Sequence, residues 1–359
     1  MRYLKIIIIA LVLVSCEEYF TPDIDKQEIA YVFDGQITDM PGPYKVTISK
    51  SEGYNGRNAI VTDAKVRIVC SDGNVYELTT DTAGNYLTDS ASFRGEVGKT
   101  YQLVVNTSDN KTFTSDPEEM LACPEIDVVS AKYYETKKIV TTDGSDFYNE
   151  LERGICATNS TNTENYTPYY RYECKTILQT RQLYDSPILV ERYIYRPITS
   201  YGLLMIADAN QYQTSRISEN TLSKVTTTAL HVRLNNLIPD SVLAEDNFEV
   251  YNCGEYVQVS QYSLSEKQYN FWKAVSDQQK SSNYLFGQIE NQPIGNMHSE
   301  TGDKALGFFC VSSVKQKFGA FSLNEKKKKI NTYTAFCFPD TDTVAIYERP
   351  QDYTILFQN

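Results

Sequence analysis

The amino-acid sequence predicts a mainly β protein in two parts. An N-terminal β-sandwich over 28–120 is followed by a larger antiparallel β-rich domain over 125–359, with one clear helix near 263–280. Three observations predict this. The 359 residues include 28 tyrosines, and with the abundant Val, Ile and Thr they supply strand-forming chemistry. Between 28 and 118, short runs that alternate apolar and polar residues recur at regular spacing between turn residues. Only one segment combines a capping signal with helical spacing.

The elements follow in order. Arg2 and Lys5 precede nine apolar residues, Ile6 to Val14. A bilayer span needs about 20, so this run fits the apolar part of a signal peptide over 1–15. Ser15 is the small residue expected at the cleavage site. Leu13-Val14-Ser15-Cys16 then resembles a bacterial lipobox, in which Cys16 becomes the first mature residue and is acylated. Several acyl chains on one residue anchor stably, at about 0.8 kcal/mol per buried CH₂. Glu17-Glu18 resemble an acidic surface-export signal, and 16–27 is expected to be an acylated tether.

Beyond the tether, "IAYVFDGQIT" and "YKVTISKS" alternate as strands do. "AKVRIVC" and "VYELTT" flank the turn "SDGN", and "TYQLVVNTSDNKTFTS" is a second hairpin. About seven strands in roughly ninety residues suggest a sandwich. Pro117 and Pro124 bracket the expected boundary, since proline lacks a ladder donor. In the second part, "PYYRYECKTILQT" and "ILVERYIYRPI" look like half-exposed antiparallel strands. Ser263-Leu264-Ser265-Glu266 is the expected capping box. Leu264, Gln268, Phe271, Trp272 and Val275 follow on one face, so the single tryptophan is expected to pack the helix onto a sheet.

Composition narrows the function. The net charge of −12 argues against nucleic acid as a partner. Only two histidines are present, His231 and His298, which removes most zinc and Ser-His-Asp schemes. No GxSxG elbow, Walker loop, HExxH or GxGxxG occurs. No catalytic residue, metal ligand or cofactor is therefore assigned, and the chain reads as a non-enzyme. The acidic turns "SDGN", "DTAGN" and "TDGSD" do not match an EF-hand and read as turn chemistry. Besides Cys16 there are Cys70, Cys123, Cys156, Cys174, Cys253, Cys310 and Cys337, with no CxxC. If "ATNSTNTENYTP" is a hairpin loop, Cys156 and Cys174 face each other and can form a disulfide. Tyrosines beside charges, at Tyr169, Tyr170, Tyr172, Tyr193 and Tyr195, are candidates for a binding surface, because the ring offers an apolar face and a polar tip.

Taken together, the lipobox, "YVFDGQITDMPGPYKVTISKS", "FRGEVGKTYQLVV", "LSEKQYNFWKAVSDQQ" and "LFGQIENQPIGNMHSETGDKALGFFCVSSV" resemble the DUF4249 lipoproteins of Bacteroidota. The N-terminal third is similar to carboxypeptidase-regulatory-like sandwiches of the immunoglobulin/transthyretin type. The resemblance implies a lipid-anchored outer-membrane lipoprotein, and Glu17-Glu18 add the expectation that it faces the cell exterior. The resemblance also implies an accessory or ligand-capture role beside a TonB-dependent transporter, and it defines no enzymatic residues. Two other classes stay open: a hydrolase with paired carboxylates, and an adhesin or structural lipoprotein of the envelope.

Overall fold

The computed structural model describes residues 29–51, 58–139, 147–159, 166–185, 189–198, 205–208, 218–226, 248–281, 293–322 and 352. The leader over 1–15, Ser15, Cys16, the tether over 16–27 and His231 lie outside them. The protein is mainly β, with several antiparallel sheets and one helix among the described residues.

The chain opens with β1 (Ala30–Thr38), β2 (Lys45–Lys50), β3 (Ala59–Ile60), β4 (Lys65–Cys70), β5 (Val75–Glu77), β6 (Thr79–Thr80), β7 (Tyr86–Leu87), β8 (Thr100–Asn106), β9 (Thr112–Ser115) and β10 (Glu118–Glu119). It continues with β11 (Val128–Ile139), β12 (Phe147–Asn159), β13 (Tyr169–Asp185), β14 (Leu189–Ile198), β15 (Met205–Asp208), β16 (Ser218–Thr226) and β17 (Phe248–Leu264). Helix α1 (Glu266–Ser281), β18 (Met297–Ser299), β19 (Lys304–Ser312) and β20 (Val314–Ser322) complete it.

Two six-stranded sheets form the sandwich. One runs β19-β1-β2-β7-β6 with β3 on β2, and the other runs β18-β9-β8-β4-β5 with β10 on β8. Period-two alternation sends Tyr31, Phe33 and Ile37 of β1, Val46 and Ile48 of β2, and Leu103 and Val105 of β8 into one core. The rings of Tyr31 and Phe33 stand 4.7 and 5.0 Å from Phe113.

The sandwich is not continuous in the chain. β19 pairs in parallel with β1, Phe309 opposite Gly35, and β18 pairs antiparallel with β9. The boundary expected after residue 120 therefore fails for 297–312, which complete the first unit. The reason is that β19 is buried on both faces. Phe309 and Val311 enter the sandwich core, while Phe308 and Cys310, buried too, face the other way. Such a strand is a plain apolar run in sequence, and a parallel partner can lie far off because it needs a crossover.

The insertion between β10 and β18, joined by β20 from beyond the sandwich, forms the second β unit. A three-stranded sheet runs β11-β12-β16, and a five-stranded sheet runs β14-β13-β17-β20 with β15 on β13. β13 and β17 are 17 residues each. A single residue, Ser313, separates β19 in the sandwich from β20 in the second unit. Asp39 pins this crossing: Val314 N–H donates to Oδ1 at 2.7 Å, and Ser313 Oγ donates to Oδ2 at 2.8 Å.

Helix α1 forms where expected but starts differently. Its N-cap is Ser265, whose Oγ accepts from Gln268 N–H at 3.2 Å. Ser263 lies in β17, and its hydroxyl joins segments instead: it donates to Leu121 O at 2.7 Å and accepts from Ser313 N–H at 3.0 Å. The apolar face packs as its spacing predicts, with Phe271 on Phe308 at 4.9 Å and beside Trp272 at 5.2 Å.

The segment "PIGNMH" wedges the insertion onto the sandwich. The Asn296 side chain accepts from Phe309 N–H at 2.8 Å and donates to Phe309 O at 3.1 Å, capping the edge of β19. Gly295 and Gly307 allow this close approach. A Cβ on Gly295 would strike the Gly307 carbonyl, and one on Gly307, whose φ is +96°, would strike the Phe33 carbonyl.

Candidate functional site

Alternation along β13 divides the expected tyrosine surface. Tyr170 and Tyr172 turn to one face and are buried, at 2% and 4% exposure, with Ile126, Val257 and Val259. They are core residues, which corrects their assignment to a binding surface. Tyr169 is half-buried and stacks on Tyr269 of α1, with ring centroids 4.5 Å apart. Tyr193 and Tyr195 lie on β14 opposite Arg181 and Gln179, and their side chains lie outside the described residues.

The opposite face of β13 carries Tyr169, Arg171 and Glu173 toward the sandwich. Arg171, 7% exposed, is the centre of this seam. Its Nη2 donates to Gln36 Oε1 of β1 at 2.8 Å, and its Nη1 lies 3.0 Å from Glu173 Oε1. The guanidinium lies between two rings, 4.4 Å from the centroid of Tyr262 and 5.0 Å from that of Trp272. A planar cation suits both the stacking and the forked hydrogen bonding. Tyr262 OH donates to Glu173 Oε2 at 2.8 Å, so both carboxylate oxygens of Glu173 are held while its side chain stays partly open to solvent. Arg171 Nε and Trp272 Nε1 are buried without a hydrogen-bond partner among the described residues.

Electrostatics define what the seam can do. Burial, then the Glu173 charge and hydrogen bond, hold the Tyr262 hydroxyl protonated far above the ordinary tyrosine range. Burial pushes the Cys310 thiol up to about 12. Near neutral pH neither group is a base or a nucleophile. The guanidinium, the Gln36 amide, the Glu173 carboxylate and the two rings satisfy one another and tie β13 to β1, β17 and the helix.

Other expectations resolve locally. Among the described residues no group of three or more His, Cys, Asp or Glu could hold a metal. In "SDGN", Asp72 Oδ1 accepts from Asn74 N–H at 3.0 Å, and in "DTAGN", Asp81 Oδ1 accepts from Ala83 and Asn85 N–H at 2.8 Å. These acids shape turns; "TDGSD" lies outside the described residues. His298 is exposed, its Nε2 2.8 Å from Asp116 Oδ1. Cys156 lies on β12, whose neighbours are β11 and β16, and Cys174 on β13, which pairs with β14, β15 and β17. The Cys156 side chain, and with it the expected bridge, lies outside the described residues.

The profile of the family described as "Domain of unknown function (DUF4249)" matches residues 17–318. The chain belongs to the DUF4249 family. The match runs from the expected tether into β20, so both halves of the sandwich and the insertion between them fall within one DUF4249 unit. No curated protein matches the chain. In this DUF4249 protein, sequence reasoning missed Gln36 and Arg171. The signal within reach was the parity of "YYRYE", which sets Arg171 on the face opposite Tyr170 and Tyr172. Nothing local indicated that Gln36 would meet it.

Proposed function

We propose that the protein is an outer-membrane lipoprotein, anchored through acyl chains on Cys16 and displayed at the cell surface, that serves as accessory or ligand-capture partner of a TonB-dependent transporter. The observation that carries this reading is the segment "LVLVSCEE": an apolar run too short to span, a small residue, a cysteine and two acids. Membership of DUF4249 supports it, because the resemblance in lipobox and motifs extends over the same chain. From Cys16 to the start of β1 at Ala30, 14 residues reach at most about 45–50 Å. This tether keeps the sandwich close to the membrane and raises its effective concentration beside a barrel in the same membrane.

Affinity purification of the protein from detergent-solubilised outer membranes tests the partner. Recovery of a TonB-dependent barrel is expected, and its absence would sink the transporter reading. Cys16→Ser should move the protein from the membrane fraction to the soluble fraction, read by fractionation and immunoblot. Protease added to intact cells should degrade the wild type; full protection would place it on the periplasmic side.

A further inference from the structure

Glu118 is a buried acid, at 3% exposure. It lies on β10, where the sandwich ends and the chain enters the insertion. Its Oε2 accepts from Ser265 Oγ at 2.9 Å and from Gln268 Nε2 at 3.2 Å, so it holds the cap and first turn of α1. The same Gln268 amide donates to Val311 O of β19 at 3.0 Å. One carboxyl thus ties together β10, the helix and the returning strand. Its Oε1 is buried with no partner. An ionised Glu118 would leave charge on a buried oxygen that accepts no hydrogen bond among the described residues, whereas a proton on that oxygen removes the charge.

Among the neighbouring charges only Lys267 opposes this, and it does not outweigh burial. On α1 the nearest cation is Lys267, whose Nζ already lies 2.9 Å from Asp116 Oδ2, and Glu266 is exposed. From β18, His298 also engages Asp116. From β19, Cys310 faces the site as a neutral thiol. Burial raises the proton affinity of Glu118 against the opposing hydrogen bonds of Ser265 and Gln268, the Lys267 charge and the Asn296 side chain. Asp116, two residues earlier, shows the opposite: Lys267, then His298, lower its value.

We propose that Glu118 is a proton-operated clamp between the sandwich and α1, closed when its carboxyl is neutral and loosened when it ionises. This goes beyond the proposed function, and it holds whatever barrel or ligand the protein engages. A carboxyl whose proton affinity rises on folding stabilises fully below the ordinary glutamate range. That contribution is lost as pH rises through the raised value.

The test uses the full chain in detergent. Hydrogen exchange at the Gln268 and Tyr269 amides, corrected for intrinsic rates, is followed from about pH 5 to about pH 9. Wild-type protection should fall by about tenfold for each unit by which the folded value exceeds the unfolded one. Glu118→Gln, neutral at every pH and nearly isosteric, should keep the acid-pH protection throughout. A flat wild-type profile, or a Glu118→Gln profile that falls like the wild type, would overturn the clamp. If Glu118→Gln does not fold, the wild-type infrared spectrum decides. A neutral carboxylic acid band persisting above the ordinary glutamate range supports the clamp, and its absence overturns it.

Discussion

The sandwich and the β unit inserted into it use the same strand chemistry to bury different things. The sandwich has strands of two to nine residues around an aromatic core of Phe33, Tyr86, Phe93, Tyr101, Phe113 and Phe309. The insertion has strands of up to 17 residues and a smaller described core of Ile126, Tyr170, Tyr172, Ala207, Val257 and Val259. Along β13 and β17 it also buries Thr176, Gln179, Gln258, Ser260 and Gln261. Partners hold several of them: Gln261 Nε2 donates to Pro124 O at 2.9 Å, and Ser260 Oγ accepts from Gln316 Nε2 at 3.1 Å. The two units therefore differ in what holds them. Apolar burial is large and tolerant of orientation, whereas satisfied buried polar groups fix one orientation at small net gain.

The comparison breaks most readily at its shared strand. Gly307→Val meets both a φ of +96° and the Phe33 carbonyl. It should abolish the folded state, and a cooperative melt at the wild-type temperature would refute the tight stacking of β19 on β1. Phe309→Ala comes next. It should cost about 3–5 kcal/mol in chemical denaturation, although Phe309 lies far from the rest of the sandwich in sequence. Val259→Ala in the second unit should cost less, about 1.5–2.5 kcal/mol. Equal losses would remove the distinction between the two cores.

Smaller effects sharpen the polar side. Arg171→Ala leaves Glu173 and Gln36 without their partner and should cost about 1–3 kcal/mol. It should also shift the emission of Trp272, the single tryptophan, toward the red. Arg171→Lys should restore little, because an ammonium neither forks nor stacks. The smallest expected effect is at Asp116, whose carboxyl Lys267 and His298 hold below the ordinary aspartate range. Its contribution is present above that range and is lost as pH falls through the lowered value. Asp116→Asn should flatten the acid limb of a melting-temperature profile; an unchanged limb would show that the pair does not couple to folding.

Much of the fold was legible because alternation is local. Tyr31, Phe33 and Ile37 announce their burial by spacing alone, and so does the apolar face of α1. Within the expected capping stretch Ser263 and Ser265 carry the same local signal, and only the tertiary contacts of Ser263 with Leu121 and Ser313 leave Ser265 as the cap. The tyrosine surface failed at Tyr170 and Tyr172 for a related reason. Alternation puts them on one face of β13, but only the packing of Val257 and Val259 against that face makes it the interior. Arg171 was passed over because its partners, Gln36, Tyr262 and Trp272, come from three other elements.

By itself, then, the sequence determined the mainly β class, the strands and their buried parity, the helix and its apolar face, and the presence of a lipobox-like motif at Cys16. Only the tertiary structure decided that β18 and β19 return to the sandwich, that Asn296 caps Phe309, that Glu118 meets the first turn of α1, and that Arg171 meets Gln36, Tyr262 and Trp272. The physical reason is one of range. Side-chain periodicity encodes which face of a strand avoids water, and neighbouring residues carry that information. Which strand lies alongside, and which distant amide or carboxyl satisfies a buried polar atom, depends on how whole sheets pack, and no local pattern records it.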